Sequence, residues 1–319
     1  MLSLYRFRAR VYNRVGGIVQ LPLLDNTAPL VTLEHLDELW FQVAGTTCNL
    51  TCRHCFISCS PHNHNFGFLD LTTVRRYLDE SVGLGVKEYY FTGGEPFLNR
   101  EMVAILELTL KYGPATVLTN GTVLREEWLT RLQAAAHASP YSLEFRVSLD
   151  GFTAADNDPV RGDGTFERIL RGVRLLLDHG FLPILTVTRT RDDQDDGETF
   201  AGFVQLLRSI GYSRPRIKLL PTLRIGAEAD RQRGYHDEER VTPDMMAEFD
   251  ANLLLCSHSR IVTDRGVYVC PILIESPDAR LGASLLGATG PFAIKHQACF
   301  TCYQHGALCS NIGESGKDH

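Results

Sequence analysis

What most constrains this chain is a sixfold alternation of short apolar strands and amphipathic helices through its middle. Strand-like runs fall at Trp40–Ala44, Glu88–Phe91, Ala115–Leu118, Leu143–Leu149, Ile184–Val187 and Arg216–Leu220. Between them lie helical patterns: Ile169, Leu170, Val173, Leu176 and Leu177 recur at helical spacing before Gly180 ends the segment, and Phe200, Phe203, Val204 and Leu207 repeat the pattern. Consecutive β-then-α units require parallel strands joined by right-handed crossovers. The expected class is α/β, either an open doubly wound sheet or a full or partial barrel. In each case function gathers where strands end and loops begin. The unusual residues stand at those places: cysteines after the first strand, Thr92-Gly93-Gly94-Glu95-Pro96 after the second, Thr119-Asn120-Gly121 after the third and Ser148-Leu149-Asp150-Gly151 after the fourth.

The nine cysteines are the second constraint, and they are unevenly placed. Cys48, Cys52, Cys55 and Cys59 form one group; Cys256, Cys270, Cys299, Cys302 and Cys309 form another. An odd count with nothing directing export argues against a disulfide framework. Cys48-x3-Cys52-x2-Cys55 places three soft thiolates on a short loop, which suits an iron–sulfur cluster or zinc. Three thiolates on a cubane leave one iron open for catalysis. Two other readings stay open on spacing alone. Zinc would take a fourth ligand from His54, Cys59, His62 or His64, and Cys59 before Ser60-Pro61 would close a ferredoxin-like cluster.

Composition excludes several classes. A net charge of −6, with no dense basic run, does not suit a nucleic-acid partner. No window approaches the ~18 apolar residues that span a bilayer. The start of the chain carries Arg6, Arg8 and Arg10 where a signal peptide needs its apolar core, so the expected location is cytoplasmic.

Cys48-Asn49-Leu50-Thr51-Cys52-Arg53-His54-Cys55 after a first strand, with Gly93-Gly94-Glu95-Pro96 after a second, strongly resembles the radical S-adenosylmethionine (SAM) enzymes. The resemblance continues through Asn120-Gly121, Ser148–Gly151 and Arg161-Gly162, covering residues from about 36 to 226. It implies a partial (β/α)6 TIM-like barrel in which Cys48, Cys52 and Cys55 bind a [4Fe–4S] cluster whose open iron holds SAM. One electron would then release a 5′-deoxyadenosyl radical that abstracts a substrate hydrogen atom. The resemblance also assigns SAM contacts: Gly93, Gly94, Glu95 and Pro96 at the amino group, Ser148 and Asp150 at the ribose, Arg161 at the carboxylate, and Asn120, His54 and Phe56 close by.

Arg260–Ile274 reads as a hairpin turning at Asp264, Arg265 and Gly266, which returns Cys270 towards Cys256. With Cys299-x2-Cys302 this resembles the twitch form of the SPASM/twitch auxiliary-cluster region and implies a second [4Fe–4S] cluster on Cys256, Cys270, Cys299 and Cys302; a four-cysteine zinc site is the alternative. The expected organisation is an N-terminal extension (1–35), the barrel (36–226), a linker with an exposed polar stretch at Glu228–Arg240 (227–255) and a small cysteine-rich, twitch-like domain (256–319).

The expected function is radical SAM oxidation or epimerisation of a small natural-product or sugar-like substrate, with a flavodoxin- or ferredoxin-type reductant. Cys59 and Cys309 are the candidate hydrogen-atom donors. Small molecules are preferred because only a short extension precedes Trp40, where peptide-modifying relatives commonly carry a leader-binding domain. Peptide modification is the alternative within the enzyme class. A non-catalytic iron–sulfur or zinc protein is the alternative outside it.

Overall fold

The computed structural model describes residues 28–190 and 195–306. In chain order the strands are β1 (Leu30–Val31), β2 (Glu38–Gln42), β3 (Glu88–Thr92), β4 (Ala115–Thr119), β5 (Leu143–Ser148), β6 (Ile184–Thr188), β7 (Arg216–Leu220), β8 (Ser259–Thr263), β9 (Gly266–Tyr268), β10 (Arg280–Gly282) and β11 (Phe292–Ala293). The helices are α1 (Leu71–Val82), α2 (Met102–Thr109), α3 (Glu126–Ala138), α4 (Ala154–Arg161), α5 (Thr165–Asp178), α6 (Asp196–Ser209), α7 (Ala227–Arg231), α8 (Pro243–Met246) and α9 (Ala298–His305). Strands β2 to β7 pair in sequence order and in parallel, each joined to the next through helix, as the alternation requires. This central parallel sheet is consistent with a partial barrel.

Alternation along the strands divides the interior. Leu39, Phe41, Phe91, Val117, Phe145, Val147, Leu185 and Val187 face the helices in one core. Trp40 and Tyr90 face the other way, with rings stacked at 4.3 Å, and belong to a second core. Helix α5 buries Phe166, Ile169, Leu170, Val173 and Leu176, each worth roughly 1.5–3 kcal/mol on full burial. Strand β2 ends two residues sooner than its apolar run predicts. Gln42 turns the chain there, its Nε2 donating to the Gly45 carbonyl at 2.8 Å and its own carbonyl accepting from Gly45 N at 3.0 Å.

The expected hairpin forms from β8 and β9, which pair antiparallel. It does not stand apart from the barrel: β8 pairs in parallel with β2, so the main sheet continues through β8, β9 and β10. In the polar stretch after Gly226, Asp230, Gln232, His236, Asp237, Glu238 and Arg240 are exposed, whereas Glu228 is not. Glu228 is fully buried on α7, its charge met by Arg231 at 2.6 Å, and Ala227 N donates to the Cys55 carbonyl at 3.0 Å. Among the described residues, no helix is long and apolar enough to cross a membrane.

Candidate functional site

The loop that carries the cysteines leaves β2 and is braced at the ends of four other elements. Gly94 N donates to the Gly45 carbonyl at 3.0 Å and Glu95 N to the Thr47 carbonyl at 3.1 Å. A Cβ on Gly94 would lie 2.0 Å from Thr47 O, and one on Gly93, whose φ is +147°, would lie 2.8 Å from Ala44 N. The glycine pair therefore lets the cysteine loop sit on the end of β3, because no side chain would fit there. After β4, Asn120 Nδ2 donates to Asn49 Oδ1 at 3.0 Å and approaches Cys48 Sγ at 3.7 Å. On the opposite side, Arg53 N donates to the Val160 carbonyl of α4 at 2.8 Å. Gly226, at φ +58°, leads into α7 against the Phe56 carbonyl, which a Cβ would approach to 2.4 Å.

Two buried carboxylates hold this arrangement. Glu95 is fully buried and accepts from Thr119 Oγ1 (2.7 Å), Asn120 N (2.7 Å) and Phe97 N (3.1 Å). Burial pushes its pKa up to about 7, outweighing those three hydrogen bonds. Asp150 Oδ2 lies 2.6 Å from Arg161 Nε and 3.0 Å from His54 Nε2, while Oδ1 accepts from Thr188 N at 2.9 Å. Burial alone would raise the Asp150 pKa; the Arg161 and His54 charges override it and hold the carboxyl below the ordinary range. One carboxylate thus joins the cysteine loop, the end of α4 and the end of β6. Ser148 Oγ lies 3.3 Å from Thr186 Oγ1 on the neighbouring strand. A cleft of about 340 Å³ opens beside Asp150, lined also by Arg53, Phe152, Asp156, Thr190 and Arg231.

The three thiols supply the soft donors that an iron–sulfur cluster would take. Cys48, Cys52 and Cys55 lie in or against the second core. Cys48 Sγ accepts from Leu50 N at 3.4 Å and Cys55 Sγ from Cys59 N at 3.3 Å, the kind of N–H contact that steadies a metal-bound thiolate. Burial pushes the Cys48 thiol up to about 12 and the Cys52 thiol up to about 11, with Arg161 pulling the latter down. These two become thiolates only with a bound cation to compensate them. The Cys59 thiol donates to Cys55 and holds its pKa down to about 6. Cys59 therefore sits beside Cys55 on the same loop. His54 is engaged by Asp150, and His62 and His64 are exposed, which takes the histidines from the zinc alternative. Among the described residues, no three His, Cys, Asp or Glu side chains are set to hold a single metal ion.

The second cysteine group converges as well. Cys256, Cys270, Cys299 and Cys302 line one small apolar cavity of about 20 Å³, walled by Leu254, Val269, Ile272, Phe292 and Ile294. Burial pushes the Cys256 thiol up to about 11 and raises that of Cys299. Cys309 lies outside the described residues.

Sequence reasoning missed the bracing residues Asn49, Thr119, Thr188 and Gly226. Asn49 and Thr119 stand within the motifs themselves, and their bracing role could have been found by asking what receives the motif's hydrogen bonds. Thr188 and Gly226 carry no local signal.

The radical SAM superfamily profile matches residues 43–201, from the end of β2 into α6. The AdoMet-dependent heme synthase of Methanosarcina barkeri is 30% identical over 194 residues, covering 60% of this chain and 52% of that protein. The antilisterial bacteriocin subtilosin biosynthesis protein AlbA of Bacillus subtilis is 32% identical over 135 residues, covering 42% of this chain and 29% of that protein. The chain thus spans about half or less of the length of these curated relatives. Among solved structures, Streptococcus suis SuiB bound to precursor peptide SuiA has a similar fold, with a TM-score of 0.60 at 14% identity over 79% of this chain and 63% of that one. With the cysteine loop, the glycine-rich end of β3 and the parallel sheet already in place, residues 43–201 form a radical SAM superfamily domain.

Proposed function

We propose that this chain is a radical SAM enzyme that modifies a peptide. The observation carrying the radical SAM reading is the three-thiol loop Cys48–Cys55, held at the ends of parallel strands by Gly94, Asn120 and Asp150. When bound, a reduced [4Fe–4S] cluster would supply one electron to the sulfonium of SAM, and SAM would supply, with release of methionine, the 5′-deoxyadenosyl radical that takes a hydrogen atom from the substrate. The protein's part is to position these groups. Asp150 and Glu95 serve by fixing the loop, since their oxygens are taken by Arg161, His54, Thr119 and Asn120. Ligand contact then falls to the backbone of Gly93–Pro96, to Ser148 and to the aromatic faces of His54 and Phe56, while Asn120 is engaged by Asn49, Thr122 and Glu95.

A peptide substrate replaces the small molecule expected from the sequence. Its support is that AlbA is a bacteriocin biosynthesis protein and that SuiB has been captured with a precursor peptide. Cys256, Cys270, Cys299 and Cys302 would hold a second [4Fe–4S] cluster; the support is that all four line one apolar cavity. Such a cluster would accept an electron from a substrate radical, favouring net oxidation over epimerisation.

The test is anaerobic reconstitution followed by reduction with dithionite. Wild-type protein should form 5′-deoxyadenosine from SAM, and Cys48→Ala should not. Candidate peptides and small metabolites can then be compared by deuterium transfer into 5′-deoxyadenosine. Transfer from small molecules alone would refute the peptide reading; absence of any SAM cleavage by fully loaded wild type would refute the enzyme.

A further inference from the structure

Arg260, on β8, is 1% exposed. Its Nε donates to the Ala288 carbonyl at 2.7 Å, Nη1 to the carbonyls of Cys256 (2.8 Å) and Ser259 (2.7 Å), and Nη2 to that of Gly290 (3.2 Å). All four acceptors are neutral. The other deeply buried arginines are placed differently: Arg161 lies on Asp150 and Arg146 beside Glu144. Among the described residues, Arg260 makes no carboxylate ion pair. A guanidinium keeps its proton in proteins, and a buried charge with only dipoles around it costs several kcal/mol. The 2.8 Å bond to the Cys256 carbonyl sets the guanidinium against the backbone of that cysteine, and the thiols of Cys256 and Cys270 oppose the lowering effect of burial on Arg260. Both thiols line the four-cysteine cavity.

We infer that Arg260 is the counter-charge of the group held by Cys256, Cys270, Cys299 and Cys302, and that it raises that group's reduction potential. This rests on the proposal that the cavity holds an iron–sulfur cluster. Four thiolates make such a cluster anionic, and each electron it accepts makes it more so; cluster potentials follow net charge and the surrounding charges and hydrogen bonds. A fixed cation bonded to the backbone of one of the four ligands, Cys256, stabilises the reduced form more than the oxidised form. Arg260 is then a positioned charge that helps an electron leave the substrate radical for the second cluster. A purely structural account is also available, because the four carbonyl bonds tie residues 288–290 to the start of β8. The two accounts differ in what lysine can replace: it keeps the charge and loses the planar fork.

The experiment uses the full chain carrying Cys48→Ala, Cys52→Ala and Cys55→Ala, so that only the second cluster titrates. Arginine, Arg260→Lys and Arg260→Gln forms are reconstituted, assayed for iron and sulfide, and titrated potentiometrically with dithionite. The Gln form should shift at least tenfold towards the oxidised state, about 59 mV lower for a one-electron couple, while Lys stays near wild type. If Gln loses the cluster, retention by Lys at near wild-type potential supports the charge role equally. A Gln form with the wild-type midpoint overturns the inference, as does equal loss of cluster or potential in Lys and Gln. If the arginine form binds no iron, the cluster assignment fails instead, and the iron assay shows this before any potential is read.

Discussion

Replacing Asp150 with Asn tests the bracing of the cysteine loop directly. The change preserves shape and the acceptor for Thr188 N, and removes only the charge that faces Arg161 at 2.6 Å and His54 at 3.0 Å. Arg161 is 6% exposed, so its guanidinium is left buried without a counter-ion. Breaking a buried pair from one side costs about 3–5 kcal/mol, a large share of the roughly 5–15 kcal/mol that holds a domain together. Anaerobic urea denaturation of the cluster-free protein at pH 7 measures it, with Arg161→Met and the double variant completing a cycle. Because Met removes the stranded charge, the double variant should be more stable than the sum of the single losses implies. The pH dependence is a second check. The folded carboxyl titrates below the unfolded value of about 3.9, so its stabilisation is complete above that pH and fades as acid carries the solution down towards the depressed folded value. The wild-type and Asn curves should therefore converge at the acid end. A loss under about 1 kcal/mol at pH 7, or curves that stay parallel in acid, would show that the Asp150 network does not carry the loop.

Two further outcomes follow from the same site. Gly94→Ala places a methyl 2.0 Å from Thr47 O and should push the loop off β3, so that iron bound by the Cys48 group falls while far-ultraviolet circular dichroism stays close to wild type. Glu95 titrates above its unfolded value, so its contribution to stability is present below about 4.3 and is lost as pH rises through about 7; Glu95→Gln should flatten the stability profile across that interval.

The strands were legible because buried parallel strands are near-continuous apolar runs, and those in Ile184–Val187 and Arg216–Leu220 fall within a residue of the observed β6 and β7. The cysteine and glycine motifs were legible because their chemistry is local. What the sequence hid is contact between distant residues. Nothing near Arg161 announces Asp150 as its partner, and Glu228 reads as a surface residue until Arg231 and the cysteine loop enclose it. Glu95 is expected at an ammonium group, and nothing local announces the three donors that β4 and the turn after β3 bring to its carboxylate. The preference for a small substrate rested on how little chain precedes Trp40, a feature that says nothing about the shape of the site itself.

The parallel pairing of β8 with β2 carries a consequence for folding. Residues 259–263 arrive more than two hundred positions after β2, and until they do β2 presents an open edge whose every residue is buried in the finished protein. Such an edge is an invitation to pair with another chain. Long-range closure of this kind is slow, since the entropy of bringing the ends together precedes any gain from contact. During synthesis the first cysteine loop is complete while its own strand remains open, so the interval between the two halves of the chain is when aggregation competes most strongly with folding.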